Sequence, residues 1–455
     1  MLLPITSRVD DDGVLNIGGV SLEKLHLKYR TPLYVVDLAT VKKQCADYMK
    51  FFDFDDYDSE IIYASKAFCT IPMCQLIKKE GLSIDVSTGG ELYFALKGKL
   101  KPKRIFFHGN NKSLEEINFG MENGVGTFMV DNFSELETIG VLAMQKNITQ
   151  EVMIRITPGI KANTHKYIQT GQVESKFGFT LANGVALEAI KKANEIENIS
   201  VTGIHAHIGS QIFNIEVYDK LIDAMIQFIK DVKDKLGIKI KQINIGGGLG
   251  IKYRQEDEPA TIEEFASLVH SALEKYTSKY GVEIDKIYLE PGRSIIGNAG
   301  ITLYEAGNIK EISSRKNYIA IDGGMSDNIR PMLYQAEYSA FIANKASYLG
   351  KIRDGEPSCS NNSAQEKMSG KNTKKYDIVG KHCESGDVII EDAVLPVTEP
   401  GDLICVAATG AYCYSMSSNY NGQTKSAVVA VGKNKARFWV VRQEYKDLAS
   451  KDRRL

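Results

Sequence analysis

The sequence predicts an α/β fold, a (β/α)8 TIM barrel joined to a C-terminal all-β domain, and three observations carry that prediction. From about residue 60 short β-branched runs alternate eight times with amphipathic stretches. Capping signals open several of those stretches. After Arg293 the rhythm changes to short strand-like runs with almost no helical period. Eight β-then-α units are the number that closes a parallel barrel; an open doubly wound sheet is the alternative that the same alternation allows.

In order, the barrel strands are read as Ile61–Lys66, Leu82–Ser87, Arg104–Asn110, Thr127–Asn132, Val152–Thr157, Val201–Gly209, Gln242–Gly248 and Lys286–Gly292. Ser113 with Glu116, Asn132 with Glu135 and Thr261 with Glu264 have the spacing of capping boxes, whose side chains satisfy the free backbone donors of a helix start. Apolar residues recur at helical spacing in Phe133, Leu136, Ile139, Gly140 and Ala143, and in Leu221, Ala224, Ile226, Ile229 and Val232. Beyond the barrel, Thr302–Ile309, Tyr318–Ile321, Asp387–Ile390, Asp402–Ala408, Ser426–Val431 and Arg437–Val441 read as strands between turn residues. The polar segment Glu356–Lys375 (EPSCSNNSAQEKMSGKNTKK) predicts a mobile surface loop. Residues 1–35 hold no barrel unit and are assigned to the β domain. The expected domains are therefore 36–300 for the barrel, and 1–35 with 301–455 for the β domain.

The 455 residues are 43% hydrophobic, 25% charged and 9% aromatic, which excludes a disordered, collagenous or coiled-coil chain. Against 57 Asp and Glu stand 56 Lys and Arg, so no broad field exists to hold a polyanion; neither nucleic acid nor a membrane is an expected partner. Apolar runs fall short of the roughly 18 residues of a membrane span, and MLLPITSRVDDDG lacks the basic start and apolar core of a signal peptide. A cytoplasmic location is expected. Cys45, Cys69, Cys74, Cys359, Cys383, Cys405 and Cys413 include no C-x-x-C pair, which argues against a disulfide framework or a structural zinc site. No metal is expected.

Barrel enzymes place their chemistry at the C-terminal ends of the strands. The first strand ends in Tyr63-Ala64-Ser65-Lys66, and an amine buried there is pushed towards its neutral, nucleophilic form. Lys66 is a candidate Schiff-base lysine, or a rim lysine whose head reaches water. The sixth strand carries His205-Ala206-His207-Ile208-Gly209-Ser210: two histidines on one face that could ligate a metal, although no third ligand matches, or one ring packed on a ligand with Ser210 beside it. The seventh runs into Gly246-Gly247-Gly248-Leu249-Gly250, where bare backbone can approach an anion. The eighth ends in Glu290-Pro291-Gly292-Arg293, a simple ion pair or two cofactor contacts. Together these groups suggest a phosphorylated heteroaromatic cofactor, held covalently.

The motifs YASKAF (63–68), HIGSQ (207–211), GGGLG (246–250), EPGR (290–293), RPMLY (330–334), CESGD (383–387) and GAY (410–412) stand in one order, from about Leu33 to the end of the chain. In this the sequence closely resembles the diaminopimelate decarboxylases, members of the fold-type III pyridoxal-phosphate group, which join an alanine-racemase-like barrel to a β domain. The resemblance implies that Lys66 holds the aldehyde of pyridoxal 5'-phosphate and that His207 stacks on its ring. It implies that Gly247 and Gly248, with backbone of the 290–293 turn, hold the phosphate and Tyr412 approaches it, that Ser210, Gly292 and Arg293 also bind the cofactor, and that Glu290 faces the pyridine nitrogen. Arg293 and Arg330, with Tyr334 and Tyr412, would bind the substrate's distal end, where a carboxylate suits a guanidinium. Cys383 would deliver the proton after CO2 leaves and Glu384 would contact the distal amino group, both reaching a neighbouring subunit of a homodimer. The implied reaction is decarboxylation of meso-2,6-diaminopimelate at its D-centre to L-lysine.

Rivals are a same-fold decarboxylase of carboxynorspermidine, ornithine or arginine, and a non-catalytic homologue; Arg330 and CESGD speak against the former, and Lys66, Glu290 and Cys383 against the latter. Two departures stand out: Gly380-Lys381-His382 precedes CESGD where the family commonly has Gly-Pro, and 356–375 reads as an insertion.

Overall fold

The computed structural model describes residues 1–160, 175–313, 316–358, 373–453 and 455. The chain divides into two compact units: Gln44–Gly250 with Pro259–Arg293, and Met1–Lys43 with Ile251–Glu258 and Ser294–Leu455.

The first unit is a closed barrel of eight parallel strands, which decides against the open sheet. They are β1 (Asp58–Ala64), β2 (Ser83–Val86), β3 (Ile105–Phe107), β4 (Thr127–Val130), β5 (Gln150–Thr157), β6 (Ile199–His205), β7 (Gln242–Asn244) and β8 (Lys286–Leu289). Each pairs with the next, and β8 returns to β1 with Leu289 opposite Ile61. Ile62, Phe106, Met129, Met153 and Tyr288 form one apolar cluster from five of these strands. Seven of the eight observed strands stop short of the expected ends, β5 alone reaching Thr157, because the last residues of those seven runs turn out of the ladder. Those displaced ends carry the polar groups described below.

Ser113–Glu116 and Thr261–Glu264 form full capping boxes. Asn132 only half forms one. Its side chain accepts from Glu135 N, but the Glu135 carboxylate turns to Asp131 N and to the buried Lys112 ammonium, 2.6 Å away. An ion pair outcompetes the cap's second bond. The helix Glu216–Leu236 buries Leu221, Ile226, Ile229 and Val232 on one face, with Tyr218, Ile222, Met225 and Phe228 beside them.

In the second unit the main sheet runs Val388–Pro396, Thr373–Val379, Lys316–Ile321, Gly300–Ser313, Leu33–Asp37, Ala427–Gly432, Lys435–Val440; Leu403–Val406 pairs with Gly300–Ser313 and with Ala340–Ile342. Three expectations need correction. A boundary at 36 would cut the strand Leu33–Asp37, whose Val36 and Asp37 pair with Ala430 and Val431. Residues 251–258, expected in the barrel, lie in this unit, where the carbonyl of Tyr253 accepts from Ser339 Oγ. The expected loop 356–375 is paired at both ends: Glu356–Pro357 with Ile352–Arg353, and Thr373–Lys375 with Val394–Pro396. Its middle, 359–372, with Cys359, lies outside the described residues. Among the described residues no helix is long and apolar enough to cross a membrane.

Candidate active site

In the barrel unit the polar side chains stand where the strands end. At Ala64 the chain leaves β1 for a single 3-10 turn, Ser65–Ala67, anchored by Ser65 N donating to Asp85 Oδ1 at 2.9 Å and Ala64 N to the Pro291 carbonyl at 3.0 Å. This turn buries Ser65 and Ala67 and swings Lys66 outward. Lys66 is exposed, which corrects the expectation of a desolvated amine and agrees with a lysine whose head reaches solvent. Among the described residues no carboxylate pairs with it. Its charge is still felt by Asp85, by Glu91 and by His207.

His207 is held well below the usual histidine range, first by burial and then by the charges of Lys66 and Arg155, so its ring is neutral at physiological pH. After β7, Gly247 and Gly248 admit no side chain. A Cβ on Gly247 would fall 2.0 Å from the Glu290 carbonyl oxygen, and one on Gly248, at φ +129°, 2.5 Å from that of Gly209. The turn is fastened by Tyr218 Oη donating to the Gly247 carbonyl at 3.0 Å and Ile212 N to that of Gly248 at 2.9 Å. Ser210 and Arg293 are brought together, the guanidinium donating to Ser210 Oγ at 2.9 Å from Nη2 and 3.3 Å from Nε. A Cβ on Gly292 would meet that of Ala64 at 2.8 Å, so the turn after β8 lies directly on the end of β1.

Glu290 is 7% exposed and meets three groups that sequence reasoning did not assign to it. Asn244 Nδ2 donates to Oε1 at 2.7 Å, His205 Nε2 donates to Oε2 at 3.1 Å, and His108 Nε2 lies 3.0 Å from Oε1, off the line of a hydrogen bond. Burial pushes the carboxyl up, but the two imidazoles outweigh it and hold Glu290 well below the usual carboxylate range. His205 therefore does not share a task with His207. The available signal was a polar residue near the end of an apolar run: His108 in Ile105–His108, Asn244 in Gln242–Gly246.

In the second unit Arg330 is 6% exposed inside a group of aromatic rings. Its guanidinium donates to Tyr253 Oη at 3.2 Å and to Tyr338 Oη, and its carbon lies 5.8 Å from the ring of Tyr334 and 6.0 Å from that of Tyr412. Arg330, Tyr334 and Tyr412 thus lie near one another, joined by Tyr253 and Tyr338, which carry no motif. Cys383 and Glu384 sit on an exposed turn, Cys383 N donating to Asn421 Oδ1 at 3.2 Å. That turn meets the Arg330–Tyr334 helix at Gly386, where an added Cβ would lie 3.2 Å from the Met332 methyl.

The barrel residues fit pyridoxal phosphate on three counts. Lys66 offers an amine, the glycine turns offer a cradle that any Cβ would fill, and Glu290 offers an anion suited to a protonated ring nitrogen. The comparisons agree with this chemistry. Residues 38–297 match the model of the pyridoxal-dependent decarboxylase family, pyridoxal binding domain. A diaminopimelate decarboxylase of Bacillus subtilis (strain 168) is 42% identical over 452 residues, which cover 99% of this chain and 98% of that enzyme. The crystal structure of a diaminopimelate decarboxylase from M. jannaschii in co-complex with L-lysine superposes with a TM-score of 0.89 at 33% identity, covering 100% of this chain and 99% of that one. One from Helicobacter pylori, also complexed with L-lysine, gives 0.82 at 30% identity, over 94% and 98%. With a matching site chemistry and likeness along its whole length, the chain belongs to the pyridoxal-dependent decarboxylases and, among them, to the diaminopimelate decarboxylases.

Proposed function

We propose that the chain decarboxylates meso-2,6-diaminopimelate at its D-centre, giving L-lysine and CO2 as the last step of lysine biosynthesis, in the cytoplasm and as a homodimer. The observation that carries the reading is the pairing of an available lysine amine with an anionic, hydrogen-bonded Glu290 at the ends of barrel strands β1 and β8. Pyridoxal phosphate, when bound, supplies an aldehyde for amines and a ring that withdraws electrons from the bond to the departing carboxyl carbon. Lys66 would hold that aldehyde through its side-chain amine. Neutral His207 packs against the ring without adding a charge. Gly247, Gly248 and Gly292, with Ser210 and Arg293, hold the phosphate through backbone and side-chain donors. Glu290 keeps a proton on the ring nitrogen and so maintains the withdrawal.

Arg330, with Tyr334 and Tyr412, selects a distal carboxylate and rejects the distal cation of ornithine or arginine. Cys383 returns a proton to the carbon that lost CO2, and Glu384 binds the distal ammonium. Both act on the active site of a second copy. Support comes from the exposure of both residues and from an open groove of about 830 Å³ beside them, lined by Met332, Tyr338, Gly386 and Ile390.

CO2 release from meso-diaminopimelate, ornithine, arginine and carboxynorspermidine tests the substrate. The cofactor is tested by a visible absorption band that borohydride bleaches and that Lys66→Ala removes. A protein that stays colourless with added cofactor would defeat the reading, and faster turnover of ornithine would replace the substrate. Sedimentation, with mixed dimers of Lys66→Ala and Cys383→Ala chains, tests the shared site: partial recovery of activity is expected.

A further inference from the structure

Glu290 stands inside the barrel among groups from five other strands or the turns that follow them. Asn244 comes from β7, His205 from β6, His108 from just after β3, Arg155 from β5 and Asp85 from β2. An ionised carboxylate has about four acceptor directions; two are occupied here, on Oε1 by Asn244 and on Oε2 by His205, while His108 Nε2, 3.0 Å from Oε1 but off the hydrogen-bond line, crowds a third. About one remains for an incoming donor. His205 Nε2 faces an acceptor and so carries the ring proton, while its buried Nδ1 has no hydrogen-bond partner among the described residues. Such a ring is a neutral, single-purpose donor. Asn244 works in two directions: its Nδ2 donates to Glu290 and its Oδ1 accepts from Gly246 N at 2.9 Å, which ties the carboxylate to the glycine turn.

We propose that His108, His205 and Asn244 are positioning residues that hold the Glu290 carboxylate in one orientation, with one acceptor direction open, before the cofactor binds. The role of that open direction rests on the reading of Glu290 as partner of the ring nitrogen. The charges facing the carboxylate are those of Arg155, which favours its ionised form, and Asp85, which opposes it; His207 is the remaining ionisable neighbour. Burial pushes the Asp85 carboxyl well up, towards its neutral form, which weakens its repulsion. Burial also brings His205 down to about 4. At neutral pH the cluster therefore holds one anion served by two neutral rings and an amide. A hydrogen bond to a charged group contributes about 1.5–3 kcal/mol, and 1.36 kcal/mol is one pH unit, so losing His205 should raise the Glu290 midpoint by about 1–2 units.

The experiment uses the full-length protein freed of cofactor and labelled at glutamate Cδ with 13C, with the Glu290 resonance assigned by its loss in Glu290→Gln. His205→Phe and His108→Phe keep a ring and remove the nitrogens; His205→Gln restores a donor near Nε2. The expected result is a midpoint raised by about 1–2 units in His205→Phe, largely restored in His205→Gln, and raised less in His108→Phe, whose contact is off-line. Should His205→Phe misfold, Asn244→Ala reads the same resonance from a different strand. Unchanged midpoints in His205→Phe and Asn244→Ala would overturn the proposal. Binding of pyridoxal phosphate, followed by absorbance, separates the two readings. A moved midpoint with an unmoved cofactor band supports positioning and refutes the ring-nitrogen contact instead.

Discussion

Replacing Arg330 by methionine should divide substrate binding from folding. The guanidinium is buried, donates to Tyr253 Oη and Tyr338 Oη, and lies 5.3–6.0 Å from the rings of Tyr253, Tyr334, Tyr338 and Tyr412. Among the described residues no carboxylate pairs with it, so a desolvated cation is held ready by neutral groups. Two charge-assisted bonds to a substrate carboxylate, at about 1.5–3 kcal/mol each, sum to about 3–6 kcal/mol, or about 10²–10⁴-fold in kcat/KM. Methionine keeps an apolar stem against the rings, but the hydroxyls of Tyr253 and Tyr338 each lose a charge-assisted bond. Urea unfolding should therefore show a loss of about 1–3 kcal/mol, while CO2 release from diaminopimelate collapses and discrimination against ornithine weakens. An unchanged kcat/KM, or a loss of more than about 5 kcal/mol in stability, would show Arg330 to be a structural ion and refute the reasoning.

Gly248→Ala places a Cβ 2.5 Å from the Gly209 carbonyl at φ +129°, so stability should fall by about 1–3 kcal/mol and cofactor retention with it; thermal melting and dialysis check both. Asp327 is pushed up to about 6, by burial first, against hydrogen bonds from Ser426 Oγ and Gly324 N. Its folded-state value lies above its ordinary 3.8, so its contribution is complete below about pH 4 and is lost as pH rises through 6, about 3 kcal/mol in all. Asp327→Asn should flatten the stability profile across that window, as urea unfolding at several pH values would show. Thr261→Ala removes the side-chain half of a capping box, the bond from Glu264 N, and should cost about 1 kcal/mol, read as a lowered melting temperature with cofactor binding intact.

The barrel strands were legible because most hold a short apolar run with both faces buried, as in Ser83–Val86 or Thr127–Val130, and such runs need no partner to be recognised. Their ends were not. Lys66, Gly209 and Gly248 continue the run in sequence but leave the ladder, since only neighbouring strands decide where pairing stops. In the other unit Leu33–Asp37 was hidden for a related reason: its partners Leu303 and Ala427 are remote in sequence, and a single strand far from its sheet carries no rhythm. Thr373–Val379 was hidden by its lysines. Lys374 pairs with Glu311 and Lys375 with Asp392, so a strand edge carries the charges of a surface loop.

The site divides along the same line. Lys66, the glycine turn and Glu290 announce themselves, because their residue types are unusual at the end of an apolar strand. The surroundings that tune them do not. His108 follows β3 and His205 ends β6, strands that are not neighbours in the barrel, yet their rings meet edge to face with centroids 5.0 Å apart. Only closure of the sheet produces that contact. Asn244 reads in sequence as an ordinary polar residue before a glycine turn, and its importance lies in bonding to both Gly246 and Glu290 at once. A motif can therefore name the group that meets the cofactor, while the groups that fix that group's orientation and charge come from across the barrel. Asn244→Asp tests this division without touching a motif residue. Set against Glu290, the new carboxylate keeps the Gly246 bond and loses the amide donor, so cofactor affinity should fall while the glycine turn stays in place. An undiminished affinity would mean that the cradle and the acid act independently.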